Sequence, residues 1–184
     1  NYTDVYYEHH LMGKVPTVMV HCIHLSDVEM DRMAETQTMV SHCPYSNVNL
    51  SSGIAPIRKL FERKIPIGLG SDISGGHIVS MAKVLTEAIG LSKMKWVEVD
   101  QTYAPLTLSE AFYMATKGGG KFFGKVGSFE KGCELDALVI DDTTLFDPNE
   151  RSLEERLERW LYVGDDRHIV ERYVAGKVAP EPMH

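Results

Sequence analysis

Asp72 closes a run of small residues, Gly68-Leu69-Gly70-Ser71, whose glycines let the backbone approach a ligand and leave a carboxylate at the end of an apolar segment. A carboxylate so placed could bind a hard or borderline cation and exchange a proton with water held there. Asp is also favoured ahead of helices, so a role as a cap stands beside the chemical one. His21 and His24 are three residues apart across the end of a β-branched run, a spacing that does not aim both rings one way. They are therefore not a chelating pair. His21 continues the run and is the stronger site candidate, whereas His24 reads as a loop residue, solvated or capping. His42, followed by Cys43 and Pro44, repeats the placement of His21, and its spacing supports a core or loop-fixing role at least as well. His9, His10, His77, His168 and His184 show no partner pattern.

Such residues form a site only if the chain brings strand ends together. Residues 17–22 predict a strand, and Ser26-Asp27-Val28-Glu29 reads as a capping box opening a helix to about Gln37. Residues 38–44 predict a second buried strand, followed by a polar loop and an amphipathic stretch over 54–63. Residues 65–72 predict a third strand, with a helical pattern over 78–95. Three βα units in series predict a parallel sheet, doubly wound or closed into a barrel, although three strands cannot close one alone. His21, His42 and Asp72 each fall where a βα loop begins, and in a barrel those positions share one rim.

Downstream, a helix from about Leu106 to Thr116 is expected to be interrupted by Gly118-Gly119-Gly120. A turn and strand over 126–140, a charged amphipathic helix over 153–161 and a strand over 169–178 follow. This divides the chain into residues 1–124, carrying the βα units, and residues 125–184, a β-rich appendage with one helix.

The 184 residues are 43% hydrophobic and 24% charged, a globular composition with apolar side chains enough for one domain or slightly more. A formal net charge of -7 argues against nucleic-acid or anionic membrane partners. The longest apolar runs, such as 15–22, fall well short of the roughly 18 residues of a bilayer span. Cys22, Cys43 and Cys133 are odd in number and lack a C-x-x-C pair, which predicts a reducing, cytoplasmic setting without a disulfide framework. The opening residues show no leader pattern, and the chain is expected to begin mid-protein.

In chain order, His21, the stretch Ser41-His42-Cys43-Pro44-x-Ser46-Asn47 and Gly68-Leu69-Gly70-Ser71-Asp72 resemble the amidohydrolase-superfamily deaminases. Asn47-x-x-Leu50-Ser51-Ser52-Gly53, Gly75-Gly76 and Tyr162-Val163-Gly164-Asp165-Asp166-Arg167 are similar to the guanine deaminases among them, over essentially the whole chain. The resemblance implies an α/β fold: the last three βα units of a TIM-type (β/α)8 barrel plus the C-terminal part of a small β-sandwich domain. It also implies a zinc ion held by a His-x-His pair, a further His and an Asp, of which only the Asp is present, as Asp72. On that comparison Asp72 is metal ligand, proton acceptor and substrate contact. His21 is similar to a sixth-strand histidine that hydrogen-bonds the attacking hydroxide, a catalytic and not a ligating role.

The first-strand His pair, the fifth-strand His and the proton-shuttling Glu of that family have no counterpart here. The implied reaction converts guanine and water to xanthine and ammonia, in a complete protein expected to be a homodimer. This chain alone, lacking the amino-terminal barrel portion, is expected to be inactive and to bind Zn2+ weakly or not at all. Deaminases of other purine, pyrimidine or triazine rings share the rim motifs, and a non-catalytic truncated domain is the remaining reading. The zinc deaminases with a C-x-x-C metal loop are a separate family whose signature is absent.

Overall fold

The structure, a computed structural model, describes residues 1–180; the last residues of the expected 125–184 appendage, His184 among them, lie outside the described residues. Short apolar runs form β1 (Val18–Val20), β2 (Met39–His42) and β3 (Ile67–Leu69), which pair in that order and all in parallel. The register sets Met19 beside Val40 and Val40 beside Ile67, a row of buried side chains on one face of the sheet. Parallel neighbours need crossovers. These are α2 (Asp27–Glu35) between β1 and β2, and α4 (Ile57–Glu62) between β2 and β3; the long α5 (Met81–Glu98) follows β3. Met30 and Met33 of α2, Leu60 of α4, and Leu85 and Ile89 of α5 join the row in one buried cluster. Each such side chain contributes roughly 1.5–3 kcal/mol through burial.

The strands are shorter than the runs 17–22, 38–44 and 65–72 suggest, for a local reason at β1. His21 and Cys22 take φ values of 69 and 50, which end the strand inside a stretch whose composition favours continuing it. The expected capping box of α2 is present: Ser26 accepts from the Glu29 amide, and the Ser26 amide donates to the Glu29 carboxylate at 2.9 Å. That carboxylate also accepts the Thr3 amide at 3.1 Å, docking α1 (Tyr2–Glu8), a helix the apolar periodicity does not predict. Arg32 of α2 completes the contact by pairing with Asp4 and lying over the Tyr7 ring.

Two further expectations are corrected. Gly118-Gly119-Gly120 do not interrupt α6 (Leu108–Tyr113), which runs on through a π-helical turn at Met114–Gly118. The glycines serve close backbone approach instead: a Cβ on Gly118 would stand 2.7 Å from the Ile67 carbonyl oxygen, and one on Gly68 would stand 2.8 Å from Gly119 Cα. Residues 169–178 are not one strand but a hairpin, β5 (Ile169–Val174) and β6 (Lys177–Val178), turned at Ala175 and Gly176 with φ values of 49 and 76. Two successive positive φ values are what a two-residue loop of type I′ requires. β4 (Ala137–Ile140) pairs antiparallel with β5 to complete a second sheet. α7 (Leu153–Val163) buries Trp160 and Leu161 in the same cluster as the βα units, and Lys83 of α5 donates to the Leu161 and Tyr162 carbonyls at 3.3 and 2.9 Å.

α4 and α6 are held together by Arg58, whose guanidinium donates to both Glu110 carboxylate oxygens at 2.5 and 2.8 Å and to the Ala104 and Pro105 carbonyls at 3.1 and 3.0 Å. These bonds hold the Glu110 carboxyl down to about 2. The folded-state pKa is depressed, so this stabilisation is complete above the ordinary value of 4.5 and is lost as pH falls from there towards 2. Arg58→Met is expected to lower stability at neutral pH by about 1–2 kcal/mol, solvent screening of this part-exposed pair keeping the loss below that of a buried one. Urea unfolding at neutral and acid pH checks it: the deficit should shrink at low pH, and an equal deficit at both would contradict the assignment.

Candidate active site

Parallel pairing places the carboxyl ends of β1, β2 and β3 along one rim. His21 directly follows β1, His42 is the last residue of β2, and Asp72 comes shortly after β3. His21 keeps its ladder bond, its amide donating to the Ser41 carbonyl at 3.0 Å, and Cys22 then folds back to the Val20 carbonyl at 2.8 Å. Asp72 also has a positive φ, 43. Left-handed backbone at residues other than glycine costs on the order of 1–2 kcal/mol, so His21, Cys22 and Asp72 make this rim a place of stored strain, as functional sites often are.

The structure brings two of the three sequence candidates together. His21 Nε2 stands 3.6 Å from Asp72 Oδ2, with the side chains 39% and 37% exposed, so both reach solvent from the rim. Asp72 caps no helix; its carbonyl accepts the Gly76 amide at 2.7 Å in a tight turn, and α5 begins further on. His42 is not part of the pair. It is 1% exposed, lies against a cavity of about 170 Å³ bordered by Ile57, Ala88 and Trp96, and belongs to the core. Burial first, and the nearby His21 charge second, push its imidazole down to about 4, so it stays neutral at physiological pH.

The arrangement depends on a segment that reads in sequence as a polar loop. Residues after β2 form a short helix, α3 (Pro44–Asn49), entered through a proline in its first turn. Asn47, 1% exposed, places Oδ1 at 2.8 Å from His21 Nδ1, on the ring edge opposite Asp72. Asn49 Nδ2 donates to the Gly75 carbonyl at 2.7 Å. A Cβ on Gly75 would lie 2.7 Å from Ser46 Oγ and 2.8 Å from Asp72 Oδ2, so only glycine lets the Asp72 turn sit against α3. One helix thus braces both members of the pair. Pro44 directly after the strand was the available signal for α3; the contact of Asn47 with His21 had none in spacing.

The other candidates have structural explanations. His24 Nε2 lies 3.0 Å from the Ser52 carbonyl, tying its loop to the one after α3. His77 packs edge-on against Tyr45 with ring centres 5.0 Å apart. Cys22 and Cys43 are buried and their thiols are pushed up by that burial, Cys22 to about 12, so neither is a ready nucleophile. Among the described residues no group of three or more His, Cys, Asp or Glu side chains gathers as a metal site. A carboxylate with one imidazole beside it fits a share of a zinc site and falls short of the usual three or four protein ligands.

The amidohydrolase family model matches residues 1–179. The chain belongs to the amidohydrolase family. Guanine deaminase of Dictyostelium discoideum is 39% identical over 183 residues, covering 96% of this chain and 40% of that protein. Guanine deaminase of Escherichia coli K12 is 37% identical over 188 residues, covering 98% of this chain and 41% of its own length. A crystal structure of guanine deaminase from C. acetobutylicum with guanine bound in its active site is 51% identical, superposes with a TM-score of 0.92, and is matched over 96% of this chain and 42% of that one. The chain therefore has the amidohydrolase fold and spans about two fifths of the length of these relatives.

The burial of His42 predicts a protein that loses stability in acid. The unfolded chain takes up its proton near the ordinary value of 6.5, the folded chain only near 4, so stability falls as pH drops through that interval and the penalty is constant below it. The loss is on the order of 3–4 kcal/mol at ~1.4 kcal/mol per pH unit. Denaturation of the wild type and His42→Gln across pH 4 to 7 tests this. The variant should show the flatter slope; parallel slopes would remove His42 from the acid response.

Proposed function

We propose that the chain is the carboxy-terminal portion of a zinc-dependent guanine deaminase, which converts guanine and water to xanthine and ammonia. The observation that carries this reading is the approach of His21 Nε2 to Asp72 Oδ2, 3.6 Å, at the carboxyl rim of a parallel sheet. The choice of guanine is supported by the 51% identity to a deaminase structure holding that base. On this reading β1, β2 and β3 are the last three strands of a (β/α)8 barrel, residues 1–124 carry that portion, and the sheet of β4, β5 and β6 belongs to a small β-sandwich. The remaining barrel strands, and the ligands this chain lacks, come from amino-terminal sequence, and the complete protein is a cytoplasmic homodimer. No helix among the described residues is long and apolar enough to cross a membrane.

Asp72 would supply the one zinc ligand of this chain. Zinc, when bound, brings the pKa of water to about 7. Asp72 takes the proton released as water attacks the ring carbon bearing the exocyclic amine, and it borders the bound base. With Nδ1–H given to Asn47 Oδ1, the His21 ring that also carries a proton on Nε2 donates a hydrogen bond from there to the attacking oxygen as charge develops, a role that needs a donor beside the reacting atoms. Breaking the carbon–nitrogen bond requires that the amine leave protonated, and the residue that hands on this proton lies outside the chain.

The alternatives are different deaminated rings. A 5-methylthioadenosine/S-adenosylhomocysteine deaminase of Nitratidesulfovibrio vulgaris is 32% identical over 165 residues. An adenosine deaminase from Xanthomonas campestris with bound zinc superposes with a TM-score of 0.72. Ammonia release by the full-length protein from guanine, adenine and cytosine separates them. Guanine should be the preferred substrate, Asp72→Asn should reduce turnover at least about a thousandfold while the melting temperature holds, and this chain alone should release none. Absence of release from guanine would overturn the substrate assignment, and an active Asp72→Asn protein would remove Asp72 from the chemistry.

A further inference from the structure

We propose that Asn47 is a positioning residue, holding the Nδ1 edge of His21 so that Nε2 is the ring atom presented to Asp72 and to the reacting oxygen; this rests on the deaminase reading of the rim. His21 leaves β1 with a φ of 69, so the sheet fixes its amide but not its ring, which is 39% exposed. An imidazole at an exposed rim keeps one orientation only if something grips it. The grip is the Asn47 carboxamide, whose Oδ1 is 2.8 Å from Nδ1. Its base is rigid: the Asn47 amide donates to the Cys43 carbonyl at 3.0 Å, and the Asn47 carbonyl accepts the Ser52 amide at 2.8 Å.

The amide end of the same side chain supports this role. Asn47 Nδ2 is buried and has no hydrogen-bond partner among the described residues. A buried amide with an unmade bond is costly, and an apolar residue of similar volume would pack there without that cost. Asn47 is thus poorly explained as core and well explained by its contact with His21. Asn47 Oδ1, an amide oxygen, can only accept, so Nδ1 carries the shared proton, and Nε2 is the ring nitrogen left facing Asp72 Oδ2 at 3.6 Å. The short spacing from Pro44 to Asn47 within α3 then links the end of β2 to the orientation of the side chain that follows β1.

The test uses the full-length protein with Asn47→Leu, which removes the contact at similar volume, and Asn47→Asp, which keeps an oxygen at that place. For Asn47→Leu, kcat should fall 10- to 100-fold while KM changes less than about threefold, because orientation and not binding is lost. Asn47→Asp should stay within about tenfold of wild type. Crystal structures of the variants should show the His21 ring turned from Asp72 in Asn47→Leu and in place in Asn47→Asp. Where Asn47→Leu does not fold, Asn47→Ser, whose hydroxyl falls short of the ring, replaces it with the same expectation. A variant lacking the contact that retains wild-type kcat, or whose His21 ring has not moved, overturns the proposal. If the wild type does not act on guanine, the substrate assignment fails, while the ring position in the variant structures still decides the role of Asn47.

Discussion

Parallel pairing of β1, β2 and β3 is the constraint on which the rest of the molecule depends. Parallel neighbours force the chain to cross over between strands, so every strand ends at the same edge and every βα loop opens onto it. The crossover helices then meet the Met19, Val40 and Ile67 row, and their apolar faces close one core. That core makes the edge rigid enough to hold strained backbone at His21, Cys22 and Asp72. Without the shared edge, His21 and Asp72 would be a histidine and an aspartate far apart in sequence; with it they are 3.6 Å apart.

The helix α3 converts this shared edge into a defined geometry. It is only six residues long, yet it contacts the rim twice, Asn47 gripping the His21 ring and Asn49 the Gly75 carbonyl behind Asp72. The glycines around Asp72 have the complementary task of leaving room: a side chain on Gly75 would collide with both Ser46 and Asp72. Positioning and absence of bulk work together here. His42, by contrast, points its chemistry into the core, where burial keeps it neutral.

Much of the fold was legible in sequence because the signals were local. Three β-branched or apolar runs alternating with amphipathic helices gave the parallel sheet, and the Ser26 to Glu29 capping box marked the start of α2. The elements that escaped have physical reasons. α1 is held by Glu29 and Arg32 across a long sequence separation rather than by an apolar stripe, and α3 is too short to show a helical period. The glycines after α6 resembled a stop because their close contacts with β3 exist only in three dimensions. The placement of His21 and Asp72 at one rim could be inferred from strand ends; the part played by Asn47 could not, since a carboxamide meeting a ring 26 residues away leaves no periodicity.

On the proposed reading, this rim faces the reacting base. A crystal structure of the full-length protein with guanine bound tests that claim most directly. It should place the ring carbon bearing the exocyclic amine beside His21 Nε2 and Asp72, with the His21 ring still held by Asn47. Guanine bound elsewhere, with His21 and Asp72 turned to solvent, would contradict it.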